Sequence, residues 1–340
     1  MIRNPYPDGE TRLQRAIGKG QNKLASRLIQ HGALEAPLED KGKATLARAA
    51  KSNNLGFASL LVDICGDIVN SISNGASCGP IHYAIEREHA VMVKLLLEKG
   101  GDVNFKNRNG CTALCMAVEN GFNDILPFLI EMDADPNNQC GKANNIFTPL
   151  RKAVYKGNSQ VVRLLLEAGA RLERYGFILT EAIDTSYLDI VEALLDHRPN
   201  GSDMSRWPRS LIYRAASRSD NASILRLLAQ RGVDLNKKDN RGRTILHEVA
   251  SRGSESVARN LLSAGADAEI LDGEGDTPLH IAWKENSRTM VRILMEHGVD
   301  LEAKDVFGNG KAIYEMNNTS GWKRRVIAEI FGDHTDGHTG

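Results

Sequence analysis

Between residues 272 and 298 the apolar positions fall into two short runs, each with helical spacing. Leu279 and Ala282 share one face of the first run, and Val291, Leu294 and Met295 share one face of the second; the polar pair Glu285-Asn286 separates them. Thr277 stands where a side-chain oxygen can cap the first run. Pro278 opens it, because a first-turn residue needs no N–H and proline's φ already suits a helix. Gly298 ends the second run, where a left-handed residue is required. Two helices this short cannot hide their apolar faces alone, but stacked on copies of themselves at about 8 to 10 Å they can. The pattern predicts a helical hairpin that needs neighbours on both sides.

The neighbours are in the sequence. RGRTILHEVA at 241–250 repeats GDTPLHIA, with Thr244 and Thr277 33 residues apart. The same period places units near Thr11, Ala44, Gly79, Thr112, Thr148, Phe177, Ser210, Thr244, Thr277 and Lys311. Second halves recur in phase, as VKLLLEKGGDVN at 93–104, VRLLLEAGARLE at 162–173, LRLLAQRGVDLN at 225–236 and VRILMEHGVDLE at 291–302. With its TPLHxA helix start and LLxxGAD helix end, the chain resembles the ankyrin repeat family. The resemblance implies an all-α solenoid of helix-turn-helix units with short β-hairpin fingers. About ten repeats would form one array over residues 1–331, nine complete and a degenerate tenth capping the C-terminus, with 332–340 a disordered tail.

A threonine hydroxyl three residues before His280 could be read as catalytic chemistry. The same slot, however, holds His82 and His247 but also Gln14, Ala47, Cys115, Arg151, Thr180 and Tyr213, so it carries no general chemistry. The resemblance implies instead that Thr277 and His280 bond to each other and to nearby backbone. No phosphate-binding glycine loop, nucleophile elbow or HExxH is present, and the expectation is a protein without enzymatic activity or cofactor.

Function is therefore sought where the pattern breaks. In the resembling family the finger tips and the ends of the first helices face a groove that takes protein partners. The finger before Thr148, DPNNQCGKANNIF, is about three residues longer than its neighbours, whereas ARLERYG before Phe177 is about four shorter and predicts a local kink. The next finger carries Trp207 between Arg206 and Arg209. An indole near a finger tip is a contact residue or else folds back into the gap left by the short finger. Arg218, Arg241, Arg243 and Arg252 fall on groove-facing slots, as do Tyr155 and Lys156. Guanidinium forks beside an aromatic ring suit an acidic or phosphorylated segment. These nine residues are the candidate partner-binding set. Glu274, Asp276 and Glu285 turn the free slots of the ninth unit acidic, which would give a bound segment a direction.

Charge narrows the partner. The chain has 43 basic and 43 acidic residues, so no global field draws it to nucleic acid, yet residues 141–260 carry 20 basic against 13 acidic ones. Lys323-Arg324-Arg325 forms a single patch on what reads as a capping helix, and direct nucleic-acid binding is not expected. Cys65, Cys78, Cys111, Cys115 and Cys140 are odd in number and read as reduced thiols without a metal; Cys111 and Cys115 lack a second ligand pair at zinc spacing. No apolar stretch reaches membrane-spanning length, and MIRNPYPDGETRLQ does not read as a secretion signal. The expectation is an interaction scaffold or adaptor of the cytoplasm, the nucleus or both. The alternative is a transcriptional co-regulator or pathway regulator acting through protein contacts, with or without association with nucleic acid.

Overall fold

The computed structural model describes residues 12–19, 21–31, 38–141, 147–172, 175–198, 208–218 and 221–299. Among these residues the regular structure is helical, and it falls into two units, residues 1–173 and 174–340. The first unit pairs α1 (Arg12–Gly18) with α2 (Asn22–Gln30), α3 (Leu38–Lys51) with α4 (Leu55–Ile64) and α5 (Pro80–Glu86) with α6 (Ala90–Glu98). It continues with α7 (Ala113–Asn120) and α8 (Leu126–Glu131), then α9 (Pro149–Tyr155) and α10 (Ser159–Glu167). The second unit pairs α11 (Tyr175–Asp184) with α12 (Leu188–Asp196) and α13 (Arg209–Ala216) with α14 (Ala222–Gln230). Its last pairs are α15 (Ile245–Arg252) with α16 (Glu255–Ser263) and α17 (Pro278–Lys284) with α18 (Arg288–Glu296). Within each unit the first helices of successive hairpins pack on one another, and so do the second helices α2, α4 and α6, and α12, α14, α16 and α18. The unit expected near Lys311 and the tail lie outside the described residues.

The repeated positions explain the stacking. Two residues after each expected cap stands a buried aliphatic side chain, such as Leu46, Leu114, Leu150, Leu179, Leu246 or Leu279, each at most 1% exposed. Five residues after it stands a small one, Ala49, Ala84, Ala117, Ala153, Ala182, Ala215 or Ala282, equally buried. The aliphatic residue supplies about 1.5 to 3 kcal/mol of burial. The alanine lets the neighbouring backbone approach.

Capping follows the sequence where the sequence carries it. Thr112, Thr148 and Thr277 accept from the amides of Cys115, Arg151 and His280 at 3.3 to 3.4 Å. Gly121 and Gly253 end α7 and α15 in the left-handed conformation, and Gly298 follows α18 with φ 77°. Three helices start before their expected cap slot: α3 begins before Ala44, α11 at Tyr175 and α13 at Arg209, with Pro208 rather than Ser210 in the cap position.

The fingers depart from the expected β-hairpins. Three of the described fingers are tight turns closed by a backbone bond, Asn107 N to Cys111 O, Asp239 N to Arg243 O and Asp272 N to Asp276 O, all at 2.9 Å. No strand forms among the described residues, and the only ladder element there is the isolated antiparallel bridge Cys140–Phe147. Within the second unit, Gly242 (φ +74°) sits so close to the next finger that a Cβ would lie 2.7 Å from the Gly273 nitrogen. Gly273 in turn donates its amide to Arg241 O at 2.8 Å. Any larger residue at 242 would force these two fingers apart.

Between hairpins runs a ladder of asparagines that links each turn to the one before it. Asn70 accepts from Asp102 N at 2.6 Å and donates to Gly100 O at 3.1 Å; Asn104 does the same with Asp135 N (2.8 Å) and Asp133 O (3.0 Å), and Asn137 with Arg171 N (2.6 Å) and Gly169 O (3.2 Å). In the second unit Asn236 accepts from Asp267 N at 2.9 Å.

The histidines of the repeat slot are structural. His82 Nδ1 accepts from Gly79 N at 3.2 Å, while Nε2 donates to Phe105 O and Cys111 O at 3.1 and 3.0 Å, tying α5 to the next finger. His247 and His280 each bond through Nδ1 to the cap hydroxyl, at 2.8 Å from Thr244 and Thr277 respectively. His82 is fully buried, and burial holds its pKa down at about 4, outweighing the two carbonyls that favour the imidazolium. Its folded pKa lies below the unfolded value near 6.5, so the unfolded chain binds the extra proton between those limits. Stability is accordingly expected to fall as pH drops from 6.5 towards 4, by up to about 3 kcal/mol. Urea denaturation of wild type and His82→Gln across this range checks it: the variant should lose that part of the acid dependence.

Candidate functional site

The last turns of the first helices and the fingers supply the exposed positions. In and just past α13, two files of side chains at i, i+4, i+8 spacing come to one side: Arg209, Tyr213 and Ser217, and Ser210, Arg214 and Arg218. With Glu248 of α15 they line an open groove of about 620 Å³.

Three of the five described arginines expected to await a partner are answered from within the second unit. Arg209 lies 3.1 Å from Asp239 and 3.7 Å from Glu248. Arg252 pairs with the other oxygen of Glu248 at 2.9 Å, and its guanidinium stacks 5.6 Å from the Tyr213 ring. Arg214 meets Asp184 of α11 at 3.1 Å. Arg243 donates from Nε to Asp272 at 3.1 Å, with Glu274 at 3.9 Å. Arg218 and Arg241 differ: both are exposed, and neither pairs with a carboxylate among the described residues. Their backbones are engaged, Arg218 O accepting from Asn260 Nδ2 at 2.9 Å and Arg241 N donating to Asp239 at 2.8 Å.

The two carboxylates at the finger bases are held ionised. The buried Asp272 side chain loses solvation, which opposes its charge, but the amides of Asp276 and Glu274 and the Arg243 fork outweigh that and hold its carboxyl below the ordinary range. Asp239 shows the same balance on the surface, its slight burial outweighed by the amides of Arg243 and Arg241 and by Arg209.

In the first unit Tyr155 closes α9 with 66% of its surface exposed, more than any other described large hydrophobic residue. Lys156 next to it reaches back to the carbonyl of Glu119. Lys152 pairs with the Glu119 carboxylate at 2.7 Å while its ammonium lies 4.9 Å from the centre of the Phe147 ring. Arg206 and Trp207 lie outside the described residues. Of the expected acidic positions, Asp276 is buried, 5% exposed, and engages Lys284, so it serves the finger rather than a partner. Glu274 and Glu285 are exposed.

Sequence reasoning had passed over Ser210, Tyr213, Arg214, Ser217 and Glu248. Their signal was the i, i+4 file on α13, hidden because the unit's cap slot is so altered. The cysteines also differ from expectation. Cys65, Cys78 and Cys111 are free thiols, but Cys115 and Cys140 are joined in a disulfide. Burial pushes the Cys78 and Cys111 thiols up, away from reactivity. Among the described residues no cluster of His, Cys, Asp and Glu could hold a metal ion, and no helix is long and apolar enough to cross a membrane.

The hairpin stack and its slots match a known family over most of the chain: the family described as ankyrin repeats, in three copies, aligns with residues 64–140, 137–206 and 212–305. The chain belongs to the ankyrin repeat family. A B-cell lymphoma 3 protein homolog of Mus musculus is 26% identical over 233 residues, covering 65% of this chain and 51% of that protein. The inactive serine/threonine-protein kinase TEX14 of Bos taurus is 32% identical over 108 residues, 32% of this chain and 7% of that one. The chain thus spans about half the length or less of these relatives. Among solved structures, the ankyrin repeat domain of Bcl-3, titled a unique member of the IkappaB protein family, aligns over 84% of this chain and 99% of that one, with a TM-score of 0.40 and 21% identity.

In this ankyrin array the arginines divide into holders and free donors. Arg243→Ala strands the buried Asp272 carboxylate and is expected to lower stability by about 1 to 3 kcal/mol, whereas Arg218→Ala should change it by less than about 0.5 kcal/mol. Paired urea titrations of the two variants measure the difference.

Proposed function

We propose that this chain is a non-enzymatic recognition module that docks a segment of another protein on the face formed by the ends of its first helices, centred on α13. The observation that carries the reading is the α13 groove. Its lining combines exposed arginines, the hydroxyls of Ser210 and Ser217, the Tyr213 ring and one carboxylate, Glu248. Such a lining suits an extended segment bearing an acidic or phosphorylated side chain. Arg218 in the lining offers an uncommitted fork to that group, Arg241 on the finger before α15 offers a second to the segment, and Glu248 would orient a backbone or side-chain donor nearby. Arg206 and Trp207, just before α13 in the chain, are further candidate contacts, and Tyr155 and Lys156 are candidates of the first unit taken by itself. A scaffold or adaptor of the cytoplasm or nucleus fits this chemistry. A regulator working through protein contacts would use the same face.

The structure singles out the substitutions that test the reading without unfolding the protein. Arg218→Glu/Arg241→Glu leaves Arg209, Arg243 and Arg252 to hold their carboxylates. Partners captured by the wild-type chain are expected to be lost from this variant, or bound at least tenfold more weakly once purified, with unchanged circular dichroism. Retention of the same partners at the same affinity would overturn the assignment. Salt-sensitive binding of random duplex DNA by the wild type would point to nucleic acid instead.

A further inference from the structure

Two side chains brace the fingers before Thr112 and Thr277, one reaching across to the finger from the preceding hairpin and one acting within the finger itself. One is the slot histidine, which donates to the carbonyl just ahead of the next cap, as His82 does to Cys111 and His247 to Asp276, both at 3.0 Å. The other is an Asn or Asp at the finger base, whose side-chain oxygen gathers two of the finger's own amides. Asn107, Asp239 and Asp272 each do this at 2.8 to 3.0 Å.

At the junction of α7 with the finger that leads into α9, both are missing. Cys115 stands in the slot that holds His82 and His247, and Cys140 stands where the fingers before Thr112, Thr244 and Thr277 have Asn or Asp. Their sulfurs are bonded, their Cα atoms are 6.7 Å apart and each residue is 1% exposed. That separation is within the roughly 4.4 to 6.8 Å a disulfide spans. Cys140 also exchanges both backbone bonds with Phe147, at 2.8 and 2.9 Å, so the link sits at the foot of the finger. Either substitution alone would only subtract hydrogen bonds. Together they place a covalent link across the same contact.

We propose that Cys115 and Cys140 form a redox-controlled clasp, which fixes the base of this finger when oxidised and releases it when reduced. A disulfide such as oxidised glutathione serves as oxidant. During a local opening one cysteine thiolate attacks it and expels one glutathione thiolate, leaving a mixed disulfide; the second cysteine thiolate attacks that bond and expels the other. Two thiols and one glutathione disulfide become one protein disulfide and two glutathiones, the protons passing to the departing thiolates. The finger ends at Phe147, whose ring lies under Lys152, so the clasp governs the order of the surface leading to Lys152 and Tyr155. This inference is independent of the α13 groove.

The test uses the full chain, treated with oxidised glutathione or with dithiothreitol, alkylated under native conditions, then unfolded and digested. The oxidised chain should yield a peptide linking Cys115 to Cys140, with Cys65, Cys78 and Cys111 recovered unlinked. Hydrogen exchange at the amides of Cys140 and Phe147 should be about tenfold slower in the oxidised than in the reduced chain. Cys115→Ser should show no redox dependence, and Cys115→His/Cys140→Asn, which restores the regular pair of side chains, should keep the finger base protected in both conditions. Linkage of either residue to a different cysteine, free thiols at both after oxidation, or equal exchange in the two wild-type states would overturn the proposal.

Discussion

Helices of seven to ten residues do not persist in water by themselves, and most helices here are of that length. Each becomes stable only through the face it shares with the corresponding helix one repeat away. The deeply buried leucine and alanine positions of the first helices make that shared face, and everything else in the structure serves to keep it in register. Threonine caps fix where a helix begins, slot histidines fix where the next finger lies, and the asparagine ladder fixes the turn behind it. Burial provides most of the stability and the hydrogen bonds provide the spacing.

The parts of this arrangement that repeat were legible in the sequence, because a capping threonine, a first-turn proline and a left-handed glycine are each demanded by local geometry. Thr277, Pro278 and Gly298 could be assigned one by one from such demands. Two boundaries moved off the repeat phase: Phe177 and Ser210 occupy cap slots without capping, and α11 and α13 begin before them. The asparagines of the ladder were overlooked for a different reason. In a turn an asparagine satisfies so many local patterns that its partner 30 or more residues away leaves no trace in the sequence.

The candidate site was half legible. Sequence phase picked out the arginines, but it could not show that carboxylates from neighbouring repeats answer Arg209 and Arg243. Glu248 and Arg252, four residues apart on one helix, were the single pair open to local reasoning. The Arg209 and Arg243 pairs span about one repeat. The resulting face is mixed in charge rather than basic, and its few unanswered donors sit among committed ones. On the proposed reading such a surface gains discrimination at the expense of attraction, since a docked segment would have to present its anion where a free fork stands and a donor where Glu248 stands. The cysteine pair carried a signal of its own, two slot residues replaced at one junction, visible only once the slots' roles were known.

The asparagine ladder and the slot histidines share a direction. Asn70, Asn104 and Asn137 each reach forward to a turn that lies later in the chain, and His82 and His247 likewise reach forward to the following finger. A repeat therefore carries, complete in itself, the groups that will receive its successor, while depending for its own turn on the repeat already made. On a ribosome, where the N-terminal repeats emerge first, each new turn would find its acceptor waiting. The chain has a grain, and synthesis runs along it.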